Sequence, residues 1–185
     1  MIKIGIIIGS TRPGRKAEAV ARWFHELAGR RSDAAFDLVD IKDFNLPLLD
    51  EGTPAAWAKY EHAHTKAWAQ KIASFDGFVF VTTEYNHATS GALKNAIDFL
   101  GAEWANKAAG FVGYGSMGGV RAVENLRLIA GELMMADVRA QVALSIFTDW
   151  TNFTEFKPAA LHEKSVTTML DQIIAWSGAL KALRG

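Results

Sequence analysis

The first eight residues, Met1 to Ile8, are nearly all apolar and rich in β-branched isoleucine, and Gly9 ends the run at once. A strand apolar on both faces belongs inside a parallel sheet, where helices cover both sides. Pro13-Gly14 adds a second break, and Ala17, Val20, Ala21, Phe24 and Leu27 then recur at helical spacing until about Gly29. A buried strand, a glycine-containing loop and an amphipathic helix form the opening unit of an α/β sheet.

The alternation continues along the chain. Strands are predicted at Phe36 to Ile41, Gly77 to Thr82, Ala108 to Tyr114 and Val138 to Leu144. Helices are predicted at Ala55 to Ser74 (through Trp57, Tyr60, Trp68 and Ile72), Gly91 to Leu100, Val120 to Met135 and Ala159 to Leu183. Five strands alternating with five helices argue for an α/β fold with helices on both faces of the sheet and right-handed crossovers. No internal repeat or linker divides the 185 residues, so residues 1-185 are expected to form one domain. Only Ser145 to Pro158 fits neither pattern; its Phe147, Trp150, Phe153 and Phe156 are expected to pack on something.

Charge and cysteine content narrow the function. Lys plus Arg equals Asp plus Glu, at 20 each, so a basic nucleic-acid binder or a polybasic membrane protein is not expected, and association between copies meets little repulsion. With no cysteine there is no disulfide, zinc-thiolate or thiol chemistry. Ile4 to Ile8 is too short for a secretory h-region, and no stretch approaches the roughly 18 apolar residues of a membrane span. A soluble cytoplasmic protein with no nucleic-acid or membrane partner is the expectation.

In a parallel sheet of this kind ligands sit beyond the carboxyl ends of the strands, so the loops after the first, third and fourth strands carry the function. The first runs Gly9-Ser10-Thr11-Arg12-Pro13-Gly14-Arg15-Lys16 into a helix. Unpaired N–H groups at the helix N-terminus, two hydroxyls and three cations suit a phosphate monoester. Gly9 and Gly14 have Walker A spacing, but Arg15 stands where that motif needs Lys and Lys16 where it needs the Mg-binding hydroxyl, so nucleoside triphosphate hydrolysis is not expected.

The loop after the third strand, Thr82-Thr83-Glu84-Tyr85-Asn86-His87-Ala88-Thr89-Ser90-Gly91, offers amides for the polar edge of a planar heterocycle and the Tyr85 ring for its face. Thr89 or Ser90 also suits the N-cap of the following helix. His87 is read as lining the site rather than as an acid or base, and His62 and His64 as surface residues, because positions two apart on a helix do not face the same way. No metal site is expected. The third loop, Gly113-Tyr114-Gly115-Ser116-Met117-Gly118, matches G-x-G-x-x-G, but it lies in the fourth βα unit, and Asp137, 19 residues on, precedes the next strand instead of ending it. It is read as glycine-rich backbone that approaches a flat ligand closely, with Tyr114 or Met117 helping to enclose it, and not as a dinucleotide fingerprint.

Taken in order, GSTRPGRKAEAVARW, EYNHATSGALKNAIDFL and GYGSMGGVRAVENLR resemble the NADPH-dependent FMN reductase family, whose members reduce quinones, azo compounds and chromate on a flavodoxin-like fold; the resemblance covers roughly residues 1 to 180. It implies a flavodoxin-like, five-stranded parallel sheet of order 2-1-3-4-5, bound FMN, and homodimers or homotetramers. It implies that Ser10, Arg12 and Arg15 hold the phosphate with amides from Thr11 through Lys16 to Ala17. It implies that Glu84, Tyr85 and Asn86, next to Thr83, line the isoalloxazine ring, and that Gly115, Ser116 and Gly118, with Gly119, approach its other side. Two positions depart from the family pattern, Thr83 and Ser90, where relatives often carry proline; their loss is expected to loosen the loop and lower FMN affinity without abolishing binding. The implied chemistry is ping-pong: hydride from NADPH or NADH to the flavin N5, then electrons to free flavin, a quinone, an azo compound or a metal oxyanion. The cofactor carries that chemistry, so no residue is assigned as an essential acid or base. The alternative is a non-enzymatic flavin-binding electron-transfer or sensor protein.

Overall fold

The computed structural model describes residues 1–184. Five strands, β1 (Ile2–Ile8), β2 (Ala34–Asp40), β3 (Gly77–Thr83), β4 (Ala108–Gly115) and β5 (Ala136–Ser145), form one parallel sheet in the order β2-β1-β3-β4-β5. The helices are α1 (Ala17–Ala28), α2 (Ala63–Ala73), α3 (Gly91–Asp98), α4 (Val120–Glu132) and α5 (Leu161–Leu180).

Strand alternation explains the two cores. Ile4, Ile6 and Ile8 of β1 share one face with Val79, Val81 and Val112, and there they meet Val20 and Phe24 of α1 and Met169 and Ile173 of α5. Ile7 faces the other way with Phe78, Phe80 and Phe111, against Trp68 and Ile72 of α2, Leu93 and Ile97 of α3 and Leu126 of α4. All seven residues of β3 are buried, as expected for a central parallel strand covered on both sides.

Two expectations are corrected. The helix predicted from Ala55 to Ser74 is not continuous: a single 3₁₀ turn spans Ala55–Trp57, Ala58 takes a left-handed conformation at φ 49°, and α2 starts only at Ala63. The start is fixed from outside, because the Glu51 carboxylate accepts the backbone N–H groups of Glu61 (2.8 Å) and His62 (3.1 Å). His62 therefore lies just before the helix, and the helical argument for separating it from His64 fails: the two rings stack at 5.2 Å, and both Nε2 atoms approach Asp50.

The segment Ser145 to Pro158 is not irregular throughout. It contains an antiparallel hairpin of β6 (Trp150–Thr151) and β7 (Glu155–Phe156). Its inner aromatics pack as expected, with Trp150 and Phe156 4.7 Å apart and Phe156 against Trp23, but Phe147 and Phe153 stay exposed. Buried Asp149 holds the segment in place by accepting from the N–H groups of Ser145 and Ala159 and by pairing with His162 at 2.9 Å.

Candidate functional site

The sheet order places the β1–α1, β3–α3 and β4–α4 loops side by side at the carboxyl edge. Between them lies a cleft of about 460 Å³. Arg12, Gly14, Arg15 and Lys16 line one end; Thr83, Glu84 and Tyr85 form one wall; Tyr114, Gly115, Ser116 and Ile146 form the other.

The first loop leaves β1 at Gly9, whose N–H bonds to the Val81 carbonyl at 2.9 Å. A Cβ there would sit 2.6 Å from that same oxygen, so the close approach requires glycine. A turn closed by Arg15 N–H on the Arg12 carbonyl (3.1 Å), with Gly14 at φ +66°, then delivers the chain to α1. No side chain caps the N-terminus of α1, so its first N–H groups remain available to an anion.

The three cations of this loop have different surroundings. Arg12 is exposed, and among the described residues its guanidinium makes no ion pair or hydrogen bond. Arg15 is largely buried and already engaged: Nη1 donates to the Ser10 carbonyl at 2.6 Å and to Asp40 Oδ1 at 2.8 Å, while Nη2 meets the other Asp40 oxygen. Lys16 Nζ donates to the Phe153 carbonyl and lies 5.9 Å from the centre of the Trp150 ring, so it ties the loop to the β6–β7 hairpin.

The other predicted residues divide as well. Ser10 and Ala17 are buried behind the loop, where the Tyr114 hydroxyl meets them and Thr83. Burial raises the Tyr114 phenol to about 12 despite those contacts, so it is a neutral hydrogen-bonding group at physiological pH. Thr11 faces a second cavity of about 340 Å³ next to Lys42 and Asn95. Tyr85 and Ala88 exchange backbone bonds at 3.0 Å, with Asn86 (φ 50°) and His87 (φ 66°) both left-handed, which makes a tight mirror-image turn. Tyr85 stands half-exposed at the cleft, whereas Asn86 lies at the exposed tip and is not part of the lining.

Gly118 and Gly119, both at φ +69°, are buried beneath the third loop and likewise do not line the cleft. A Cβ on Gly119 would come within 2.5 Å of the Tyr114 nitrogen, so this glycine shapes the wall that Gly115 and Ser116 present. Of the two departures, Thr83 is buried and Ser90 is a bonded position. Ser90 Oγ accepts from Leu93 N–H at 3.1 Å as the cap of α3 and donates to the Gly9 carbonyl at 2.6 Å.

Asp40 and Arg121 were not anticipated from the sequence. Asp40 offered a signal, an acidic residue closing a strand at the edge where a basic loop emerges; Arg121 offered none that tied it to Glu84.

The arrangement suits a ligand with an anionic group at the α1 end and a planar group between Tyr85 and Gly115. The volume lies in the range of small-molecule and cofactor sites, about 300–1,000 Å³.

Comparison with known proteins agrees with that description. The profile of the NADPH-dependent FMN reductase family matches residues 2–149. An NAD(P)H-dependent FMN reductase of Schizosaccharomyces pombe is 40% identical over 149 residues, 80% of this chain and 74% of that protein. One from Nectria sp is 35% identical over 175 residues, covering 89% and 86%. Among solved structures, the flavoenzyme NAD(P)H:(acceptor) oxidoreductase FerB of Paracoccus denitrificans superposes with a TM-score of 0.73 over 97% of this chain and 98% of its own, at 20% identity, a likeness of fold. Among the described residues no helix is long and apolar enough to cross a membrane.

Proposed function

The chain belongs to the NADPH-dependent FMN reductase family, and from that premise we propose that its cleft holds FMN, with the phosphate on the loop from Ser10 to Ala17 and the ring between Tyr85 and Gly115. In this reading the protein is an NAD(P)H oxidoreductase that serves small-molecule acceptors such as quinones by a ping-pong scheme. The observation that carries it is the N-terminus of α1, uncapped by any side chain, beside the Arg12 guanidinium, which has no partner among the described residues, at one end of the cleft.

The parts then have distinct tasks. Arg12 and the first N–H groups of α1 meet the phosphate charge. Arg15, locked on Asp40 and the Ser10 carbonyl, holds the loop in its binding shape. Tyr114 braces Ser10 and Thr83 from behind, and the half-exposed Tyr85 ring borders the flat part of the ligand. FMN, when bound, would supply the two-electron chemistry, and the protein supplies binding, orientation and electrostatics. In the ping-pong scheme donor and acceptor would use this one cleft in turn. The same reading has residues 1-185 acting as one FMN-binding domain in the cytoplasm. It also has the chain working as a homodimer or homotetramer, for which exposed Leu48, Trp57 and Tyr85 supply apolar surface. A flavin electron carrier docking on a protein partner is less favoured, because the chain has zero net charge and no steering field of one sign follows from it.

The test is anaerobic addition of NADPH or NADH to the FMN-loaded protein. Prompt bleaching of the flavin absorbance, recovery on adding a benzoquinone, and parallel double-reciprocal plots are expected. Bleaching only by dithionite would overturn the reductase reading, and a protein that takes up no FMN would overturn the cofactor reading.

A further inference from the structure

Glu84 lines the cleft, yet its side chain is only 5% exposed, and its carboxylate is held by a residue that follows the opposite loop. Arg121, in the first turn of α4, donates from Nε to Oε1 at 2.6 Å and from its backbone N–H to Oε2 at 3.1 Å, with Nη2 joining Oε1. Burial alone would raise this carboxyl's pKa, but those donors, with the Ala122 N–H, outweigh it and hold Glu84 below the usual carboxylate range. The remaining nitrogen, Nη1, reaches His87 Nε2 at 2.7 Å. A guanidinium can only donate, so that ring nitrogen accepts and the imidazole proton sits on Nδ1.

Arg121 thus grips the β3–α3 loop at two places, the foot of the tight turn at Glu84 and its tip at His87. That turn has two successive non-glycine residues in the left-handed region and needs such external support. The walls it joins are already close: a Cβ on Gly115 would lie 3.5 Å from Glu84 Cβ. A shift in the Glu84–Arg121 contact therefore acts where the two walls meet, and through them on the slot between Tyr85 and Gly115 in which the planar ring would sit.

We propose that Arg121 is a positioning residue of the FMN site: without touching the cofactor, it sets the separation of the two walls and cancels the buried charge of Glu84, and so tunes both FMN affinity and the reduction potential of bound FMN. This rests on the FMN reading above. Electrons added to a ring beside an uncompensated, poorly solvated carboxylate meet repulsion that the guanidinium otherwise removes. Without Arg121 the potential moves to more negative values. Lysine keeps the charge but not the planar fork that reaches Glu84 and His87 together.

The experiment uses full-length wild type, Arg121→Gln, Arg121→Lys and Arg121→Gln/Glu84→Gln. FMN affinity is read by fluorescence quenching, and midpoint potential by equilibration with redox dyes at about pH 8, where the backbone N–H donors of residues 121 and 122 that remain still favour the ionised carboxylate. Arg121→Gln is expected to weaken FMN about tenfold and to shift the potential negative. The double variant is expected to recover the potential but not the affinity, a split that general loss of packing does not produce. Arg121→Lys is expected to keep the potential and lose part of the affinity. If Arg121→Gln does not fold, the lysine and double variants still test the role: both are expected to bind FMN more weakly than wild type at the wild-type potential, and wild-type affinity in both overturns it. A wild type that binds FMN while Arg121→Gln shows the same affinity and potential overturns this role alone, as does a double variant whose potential stays displaced. A wild type that takes up no FMN overturns the cofactor reading and this role with it.

Discussion

Arg12 and Arg15 sit three residues apart on the same loop, and replacing each by alanine should do opposite things. Arg12 has no partner among the described residues, so Arg12→Ala removes nothing from the ligand-free fold. Its apo melting temperature should stay within about 2 °C of wild type, the effect of a neutral surface change of up to about 0.5 kcal/mol. FMN binding, in contrast, loses one hydrogen bond to a charged group, about 1.5–3 kcal/mol, or about 10- to 150-fold in Kd. Because the site is open to solvent, the difference between the two proteins should shrink as salt is raised. Arg15→Ala removes both hydrogen bonds to Asp40, a carboxylate only 17% exposed, and the donor to the Ser10 carbonyl. Asp40 keeps one partner, the Lys42 N–H at 2.9 Å, so the cost is set below that of an isolated buried charge, at about 2–3 kcal/mol. For a chain of this size that lowers the apo melting temperature by about 4–12 °C. Thermal melts of the apo proteins and FMN quenching titrations separate the two effects. An unchanged FMN affinity in Arg12→Ala would remove that residue from the phosphate site, and an unchanged apo melt in Arg15→Ala would refute the assignment of its guanidinium to the fold.

Ser90→Ala removes the cap of α3 and the donor to the buried Gly9 carbonyl together, so urea denaturation should show a loss of about 1–2 kcal/mol; a loss below about 0.5 kcal/mol would show that neither bond contributes as assigned. Lys107 is buried with its ammonium on the Ile72 carbonyl, and burial lowers its pKa to about 8. Between that value and the unfolded one of about 10.4 the unfolded chain binds more protons, so stability should rise with pH across the window. Urea titrations at about pH 7.5 and 9.5 should show that rise in wild type and its absence in Lys107→Met, whose subtraction also cancels tyrosine ionisation. Parallel behaviour of the two proteins would count against a strained ammonium at this position.

The sheet was legible because its strands are covered on both sides. Runs such as IKIGIII and GFVFVTT, short, apolar and rich in β-branched or aromatic residues, read as interior parallel strands, and the glycine-bearing loops between them mark where ligands gather. The prediction failed where an element's boundary is set across space. Ala55 to Ser74 is alanine-rich with large apolar residues at plausible intervals, and nothing local says that Glu51 will occupy the N–H groups of Glu61 and His62 and start α2 there. The β6–β7 hairpin escaped for a related reason. Its turn places Asn152 and Phe153 in the left-handed region without the glycine that usually announces such a turn, and Lys16 holds Phe153 by its carbonyl.

Within the site, sequence located the loops but not the work of each side chain, because that work depends on what each residue meets. Arg12, Arg15 and Lys16 are chemically similar neighbours, yet Asp40 and Phe153, distant along the chain, commit two of them and leave the third for a ligand. Glu84 lines the cleft, but its carboxylate is taken by Arg121, a partner 37 residues away that no local pattern announces. The missing prolines at Thr83 and Ser90 follow the same logic. Proline would stiffen the loop by restricting φ before folding. Here Thr82 and Thr89 bond at 2.8 Å in a buried position, Thr83 meets the Tyr114 hydroxyl, and Ser90 ties Gly9 to α3. Order is thus supplied by one bond local to the β3–α3 loop and by one, from Ser90 to Gly9, that exists only once β1 and β3 are in register. A hydrogen bond buried from water keeps its strength, whereas an exposed one competes with solvent. These contacts are expected to offset the affinity penalty of the lost prolines, and FMN titration of Thr89→Ala, which removes one of them, should show weaker binding than wild type.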